Sequence, residues 1–270
     1  YGTETGRYPQ TTAVVSGRAA EPFEITVSGL TPNTRYYYRV LTRPAGASAF
    51  TEGAEATFMT ARSAGSAFSF GVQGDSHPER DQRMYDGDLY ARTMDLVRSE
   101  RPDLYFMLGD DFSIEREIAN GTLSQATVNA VYARQRPFLA RMAGSTALFH
   151  VNGNHEEAGR FLLTGPESAP AFAGRARSAY LPLPAPDGFY TGDEERVEGI
   201  GLLRDYYAFT WGDALFVTID PYWHSTVQVD ADPGGGGGGG GRGGRGNGGR
   251  GGGGGGGRNG GGNNGRGGNA

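Results

Sequence analysis

Three short clusters in this chain carry side chains able to do acid–base or metal chemistry, and each follows an apolar run. Gly74-Asp75-Ser76-His77 comes after Phe68-Ser69-Phe70-Gly71-Val72, Gly109-Asp110-Asp111 after Leu104-Tyr105-Phe106-Met107-Leu108, and Gly153-Asn154-His155-Glu156 after Ala147-Leu148-Phe149-His150-Val151. Each run reads as a buried strand, and each cluster sits where the strand gives way to a loop. In open α/β sheets ligands bind at the carboxyl ends of the strands, so three such loops bring carboxylates, an amide and two imidazoles to one rim. Oxygen and nitrogen donors gathered in this way outline a metal site. The bland alternative makes Asp75, Asp110 and Asn154 turn residues that satisfy loop amides, since Asp, Asn and Gly favour such positions. One cluster alone suits that alternative, whereas three in order behind strand-like runs favour the metal.

Taken together, Asp-x-His, Gly-Asp and Gly-Asn-His-Glu at these spacings resemble the signature of the calcineurin-like metallophosphoesterase superfamily. The resemblance implies two divalent or trivalent ions, of Fe, Mn or Zn, with a bridging hydroxide that attacks a phosphate mono- or diester. It places Asp75 and His77 on the first ion, Asp110 between the two, and Asn154 on the second through its amide oxygen. His155 becomes the outer group that stabilises the transition state and protonates the leaving alkoxide, a task suited to a side chain that titrates near neutrality. Glu156 orients His155 or a loop amide. Asp111 reads as a solvated neighbour or helix cap, or else as a substrate-facing group. His150 reads as a hydrogen-bonded core or rim histidine, or else as a ligand. His224, in Asp220-Pro221-Tyr222-Trp223-His224, either reaches substrate or metal from a strand end or packs on Trp223.

Two departures from the family pattern stand out. Purple acid phosphatases carry a tyrosine three residues beyond the bridging Asp, where this chain has Ser113, so no tyrosinate–iron site is expected. Family members also add histidines later in the domain, and none follows His224. The second ion is therefore short of ligands, and activity of this chain stays open beside a folded but inactive relic.

The elements that must position these groups fall into three stretches. Residues 1–61 contain an alternating run at 23–27, a turn-rich segment and the β-prone Arg35-Tyr36-Tyr37-Tyr38-Arg39-Val40, with another strand expected at 55–59. The stretch Gly29-Leu30-Thr31-Pro32-Asn33-Thr34 with this tyrosine run resembles a fibronectin type III-like domain, the kind that precedes the catalytic domain in purple-acid-phosphatase-like enzymes. A full sandwich needs about seven strands and ~100 residues, so this is a partial one. Residues 61–67, small and polar, read as a linker. From 62 to 233 strands alternate with helical patterns, which predicts an α/β phosphoesterase domain with a mostly parallel central sheet and flanking helices. A helix over 88–100 is expected to bury Leu89, Thr93, Leu96 and Val97. A second over 124–142 is expected to bury Val128, Val131, Tyr132 and Leu139, with a kink at Pro137. Residues 159–200, rich in Pro, Gly and charge, predict an irregular excursion, and 206–219 a hairpin or two consecutive strands.

Residues 234–270 contain only Gly, Arg, Asn and a final Ala, too little apolar content to offset chain entropy, so disorder is expected there. The formal charge of −5 divides into −10 for residues 1–233 and +5 for the tail. An acidic body argues against general phosphate-backbone binding. The Arg-Gly tail offers an alternative, nucleic-acid binding, but it has no interleaved Phe or Tyr on which bases could stack. With no cysteine, disulfides and thiolate metal sites are excluded. No stretch approaches the roughly 18 apolar residues that span a bilayer, so no membrane partner is expected. The chain begins at Tyr1 with neither Met nor an apolar leader and reads as truncated at both ends. A secreted or periplasmic setting is implied only by the family resemblance.

Overall fold

The computed structural model describes residues 1–18, 21–156, 162–181 and 183–220. His224 and the glycine-rich tail lie outside the described residues. Strands β1 (Arg35–Tyr38) and β4 (Ala56–Met59) pair antiparallel, as do the two-residue strands β2 (Leu41–Thr42) and β3 (Thr51–Glu52). Residues 23–27 form no strand, and Phe23 and Ile25 are exposed. No second sheet among the described residues covers the β1–β4 pair as a sandwich would. Part of its cover comes instead from the later chain: the Tyr38 hydroxyl donates to the Gly144 carbonyl at 2.8 Å, and the Thr57 amide donates to Ser145 Oγ at 3.2 Å.

The centre is a three-stranded parallel sheet in the order β5 (Phe70–Gln73), β6 (Leu104–Met107), β7 (Ala147–His150). The crossovers carry α1 (Gly87–Glu100) between β5 and β6, then α2 (Glu115–Ala119) and α3 (Gln125–Ala143) between β6 and β7. Register runs Phe70 to Leu104 to Ala147 and onward in step. All four residues of β6 are buried, because its two faces meet different cores. Tyr105 and Met107 join Tyr90, Met94, Val128, Tyr132 and Leu139 under the helices. Leu104 and Phe106 join Phe149, Tyr207, Phe209 and Trp211 on the other side. Coverage on both faces is why the strand reads as a continuous apolar run with no alternation.

Two helical expectations need correction. In α1 the buried residues are Tyr90 and Met94, and Val97 packs half-buried against the same core as expected, while Leu89 and Leu96 are 56% and 61% exposed. The inward face centres on Tyr90 and Met94, which fill the core beside Tyr105 and Met107. In the expected irregular excursion, α4 (Ala169–Tyr180) forms a buried helix begun by Ser168 and Pro170 and rich in Ala. Flanking Pro and Gly obscured a run that small side chains let pack closely on α3. Helix α3 carries the expected buried residues, is capped by Ser124 and Thr127, and continues through Pro137.

The remaining strands are β8 (Thr191–Gly192), β9 (Arg196–Val197), β10 (Gly201–Leu202), β11 (Tyr207–Trp211) and β12 (Ala214–Thr218). The last two form the expected hairpin, and β8 extends it into a three-stranded antiparallel sheet. Among the described residues no helix is long and apolar enough to cross a membrane.

Candidate metal centre

The three clusters lie side by side because their strands do. Main-chain bonds continue past the strand ends: Leu108 N–H donates to Gln73 O at 2.7 Å, Val151 to Met107 at 2.8 Å, Asp75 to Gly109 at 2.9 Å and His77 to Asp110 at 3.1 Å. Asp75, His77 and Asp110 all have positive φ, at 56°, 43° and 59°. Non-glycine residues held in the left-handed region are strained, and such strain gathers at functional loops. Two glycines allow the loops to meet. A Cβ on Gly109 (φ +95°) would lie 2.2 Å from Gly153 N, and one on Gly153 would lie 2.1 Å from Asp110 Oδ1.

Glu156 ties the loops together. Its Oε2 accepts from the amides of Asp110 (2.7 Å) and Gly153 (2.9 Å), and its Oε1 from those of Phe112 (2.8 Å) and Asp111. Of the two sequence expectations for Glu156, the loop-amide one describes these bonds. Burial pushes its carboxyl pKa up, and the amide donors pull it back.

Above this clamp His77, Asp110 and His155 converge, with ligand atoms all within 4.8 Å of one another. Asp110 Oδ2 is 3.6 Å from His77 Nε2 and 3.9 Å from His155 Nε2, while Asp110 Oδ1 accepts from the His155 amide at 3.2 Å. The two imidazoles meet edge to face at 4.9 Å. Each has a carboxylate at its far nitrogen: Glu79 Oε1 lies 2.7 Å from His77 Nδ1, and Glu115 Oε2 lies 3.3 Å from His155 Nδ1. The Glu79 contact is a hydrogen bond, and a carboxylate bonded to Nδ1 holds the proton there and leaves the Nε2 lone pair of His77 free, the usual arrangement behind a metal-ligating histidine; the Glu115 approach makes no hydrogen bond to His155 Nδ1. Sequence reasoning missed Glu79 and Glu115; their signals were an acid two residues after His77 and another five after Asp110.

The remaining expected residues are distributed unevenly. Asp75 sits at the open rim, its side chain 78% exposed and its Oδ1 3.6 Å from His77 Nε2. Asn154 is exposed on the turn between Gly153 and His155. Asp111 needs correction as a solvated or substrate-facing group: it is 0% exposed and accepts from Gln73 Nε2 and the Ser76 amide, both at 3.3 Å. Burial raises the Asp111 pKa to about 7 against hydrogen bonds from Ser76 and Gln73, and the Glu156 charge adds to the rise. His150 is a core histidine, packed edge-on to Phe112 at 5.3 Å, its pKa lowered to about 3 by burial and then by the Arg177 charge.

No family model matches the chain, and no curated protein does. Among solved structures it is similar to a purple acid phosphatase isolated from yellow lupin (Lupinus luteus) seeds, at 17% identity and a TM-score of 0.46 over 71% of this chain. The match covers 31% of the phosphatase, so this chain spans less than a third of that protein's length.

Proposed function

We propose that the chain is the metal-binding part of a metallophosphoesterase that hydrolyses phosphate esters. The carrying observation is the approach of His77 Nε2 and His155 Nε2 to one oxygen of Asp110, with the His77 imidazole hydrogen-bonded from behind by Glu79. The motif order supports the same reading. So does the donor set, all oxygen and imidazole nitrogen, which suits Mn, Fe or Zn. In this reading 1–61 is a partial fibronectin type III-like segment and 62–233 the catalytic one.

His77 and Asp110 would hold the ion, with Asp75 at the rim, and Asn154 would serve a second ion that Asp110 bridges. Bound there, such ions supply Lewis acidity toward a phosphoryl oxygen and lower the pKa of water. The protein's own part is to fix the donors. Glu156 sets the Asp110 backbone, the His155 amide fixes one Asp110 oxygen, and Glu79 sets the His77 imidazole. His155 stands where it either ligates or passes a proton to the leaving alkoxide.

The test is hydrolysis of 4-nitrophenyl phosphate and of bis(4-nitrophenyl) phosphate with Mn2+, Zn2+ or Fe added. Turnover is expected to be weak, because among the described residues only Asp110 and Asn154 are offered to a second ion. Asp110→Asn should abolish it, by at least about 10³-fold for a group that positions the reacting centre. His155→Ala should leave metal content unchanged if it acts as the acid and lower it if it ligates. Turnover independent of metal and of Asp110 would overturn the proposal.

A further inference from the structure

A second group lies beneath the outer one, on the inward side of the same loops. Asp111, His150 and Glu156 place ligand atoms within 4.8 Å of one another, and each residue is no more than 1% exposed. His150 Nε2 is 3.9 Å from Glu156 Oε1. Several polar atoms here have no hydrogen-bond partner: Asp111 Oδ2, both His150 ring nitrogens, and Gln135 Oε1. Gln135, 1% exposed, is held beside Asp111 by its amide nitrogen, which donates to the Asp111 carbonyl at 3.0 Å.

Each buried acceptor left without a donor costs about 1–3 kcal/mol, and folded proteins keep few of them. In a neutral imidazole one nitrogen always offers a lone pair. The orphans here are thus three kinds of lone-pair donor beside two buried carboxylates. A proton on Asp111 would satisfy one of them. A divalent cation would take lone pairs from Asp111 and His150 and balance both carboxylate charges. Glu156 is already saturated by four amides, so it serves such an ion mainly through its charge.

We infer that Asp111, His150 and Glu156 form a buried structural site for a divalent transition ion such as Zn2+. Imidazole with carboxylate oxygen fits that class of cation. The ion would cross-link the loop after β6 to the end of β7 and the loop beyond it. Those loops also carry Asp110 and His155, so the inner ion would brace the outer cluster from below. The inference does not depend on what the outer cluster catalyses.

The experiment uses the full chain with the outer cluster disabled by His77→Ala and His155→Ala, which separates the two sites. After loading with Zn2+ and dialysis, this variant should retain one Zn2+ per chain by mass spectrometry, and chelator should lower its melting temperature by several degrees. Adding His150→Leu should remove that ion and the chelator effect. Without an ion at the site, the same change would only remove unpaired nitrogens from the core, leaving metal content unaltered and the melting temperature equal or higher. Asp111→Asn preserves size, decides the matter if His150→Leu does not fold, and should weaken Zn2+ binding at least about tenfold. A folded outer-site variant that holds no Zn2+ would overturn the inference. So would a Zn2+ affinity left unchanged by Asp111→Asn.

Discussion

Glu156 shows how much one side chain organises at this site. A single buried carboxylate receives four amide protons from two loops, which explains how Asp110 is held in the left-handed region without glycine's freedom. Glu156→Gln should therefore be costly despite its similar shape. One oxygen becomes an NH2 group facing two N–H donors, and a fixed acceptor is lost. The expected loss is roughly 2–3 kcal/mol in denaturant unfolding with chelator present, the range for leaving buried donors unpaired. A variant as stable as the parent would show that the loops hold their shape without the clamp.

Helix α1 offers a direct comparison at the scale of one element. Its inward side chain Met94 is 0% exposed between the sheet and α3, whereas Leu96 is 61% exposed two positions on. Met94→Ala should cost about 2–5 kcal/mol, through lost burial and the cavity left behind. Leu96→Ala should stay within about 0.5 kcal/mol, as exposed substitutions do. Equilibrium denaturation of both variants checks the orientation of the helix, and equal effects would mean that α1 is rotated from the packing described here.

Across the whole molecule, stability should depend on pH through a buried acid pair distant from the metal clusters in sequence. Asp205, 7% exposed, has its pKa raised from 3.8 to about 7, first by burial and then by hydrogen bonding to Asp193 and by the charges of Asp193 and Asp220, against a lowering by Arg177. Between those two values the folded chain keeps a proton that the unfolded chain has lost. Its contribution is therefore complete below about pH 4 and lost as pH rises toward 7. With chelator present, the melting temperature should fall across this window, and Asp205→Asn should reduce the slope, leaving the part contributed by Asp111, whose pKa is also raised to about 7. An unchanged slope in that variant would assign the pH dependence to another group.

What the sequence determined by itself was local. Apolar runs ending in Gly-Asp or Gly-Asn-His-Glu marked three strands and their loops, and the crossover helices with the last hairpin followed from periodicity and turn residues. Strand order and parallel pairing then brought His77, Asp110 and His155 together, as chemistry-bearing loops behind adjacent strands must be. Only the tertiary structure decided which way each side chain faced. Neither Asp111 nor Leu96 carries a signal of its own direction, because that depends on what the neighbouring element presents: Glu156 and Gln135 beneath one, solvent beside the other. The helix at Ala169–Tyr180 was hidden for the same reason, since an Ala-rich segment between Pro and Gly declares itself only against the surface it packs on. Glu79 and Glu115 were likewise ordinary surface acids until the loops turned them toward the imidazoles.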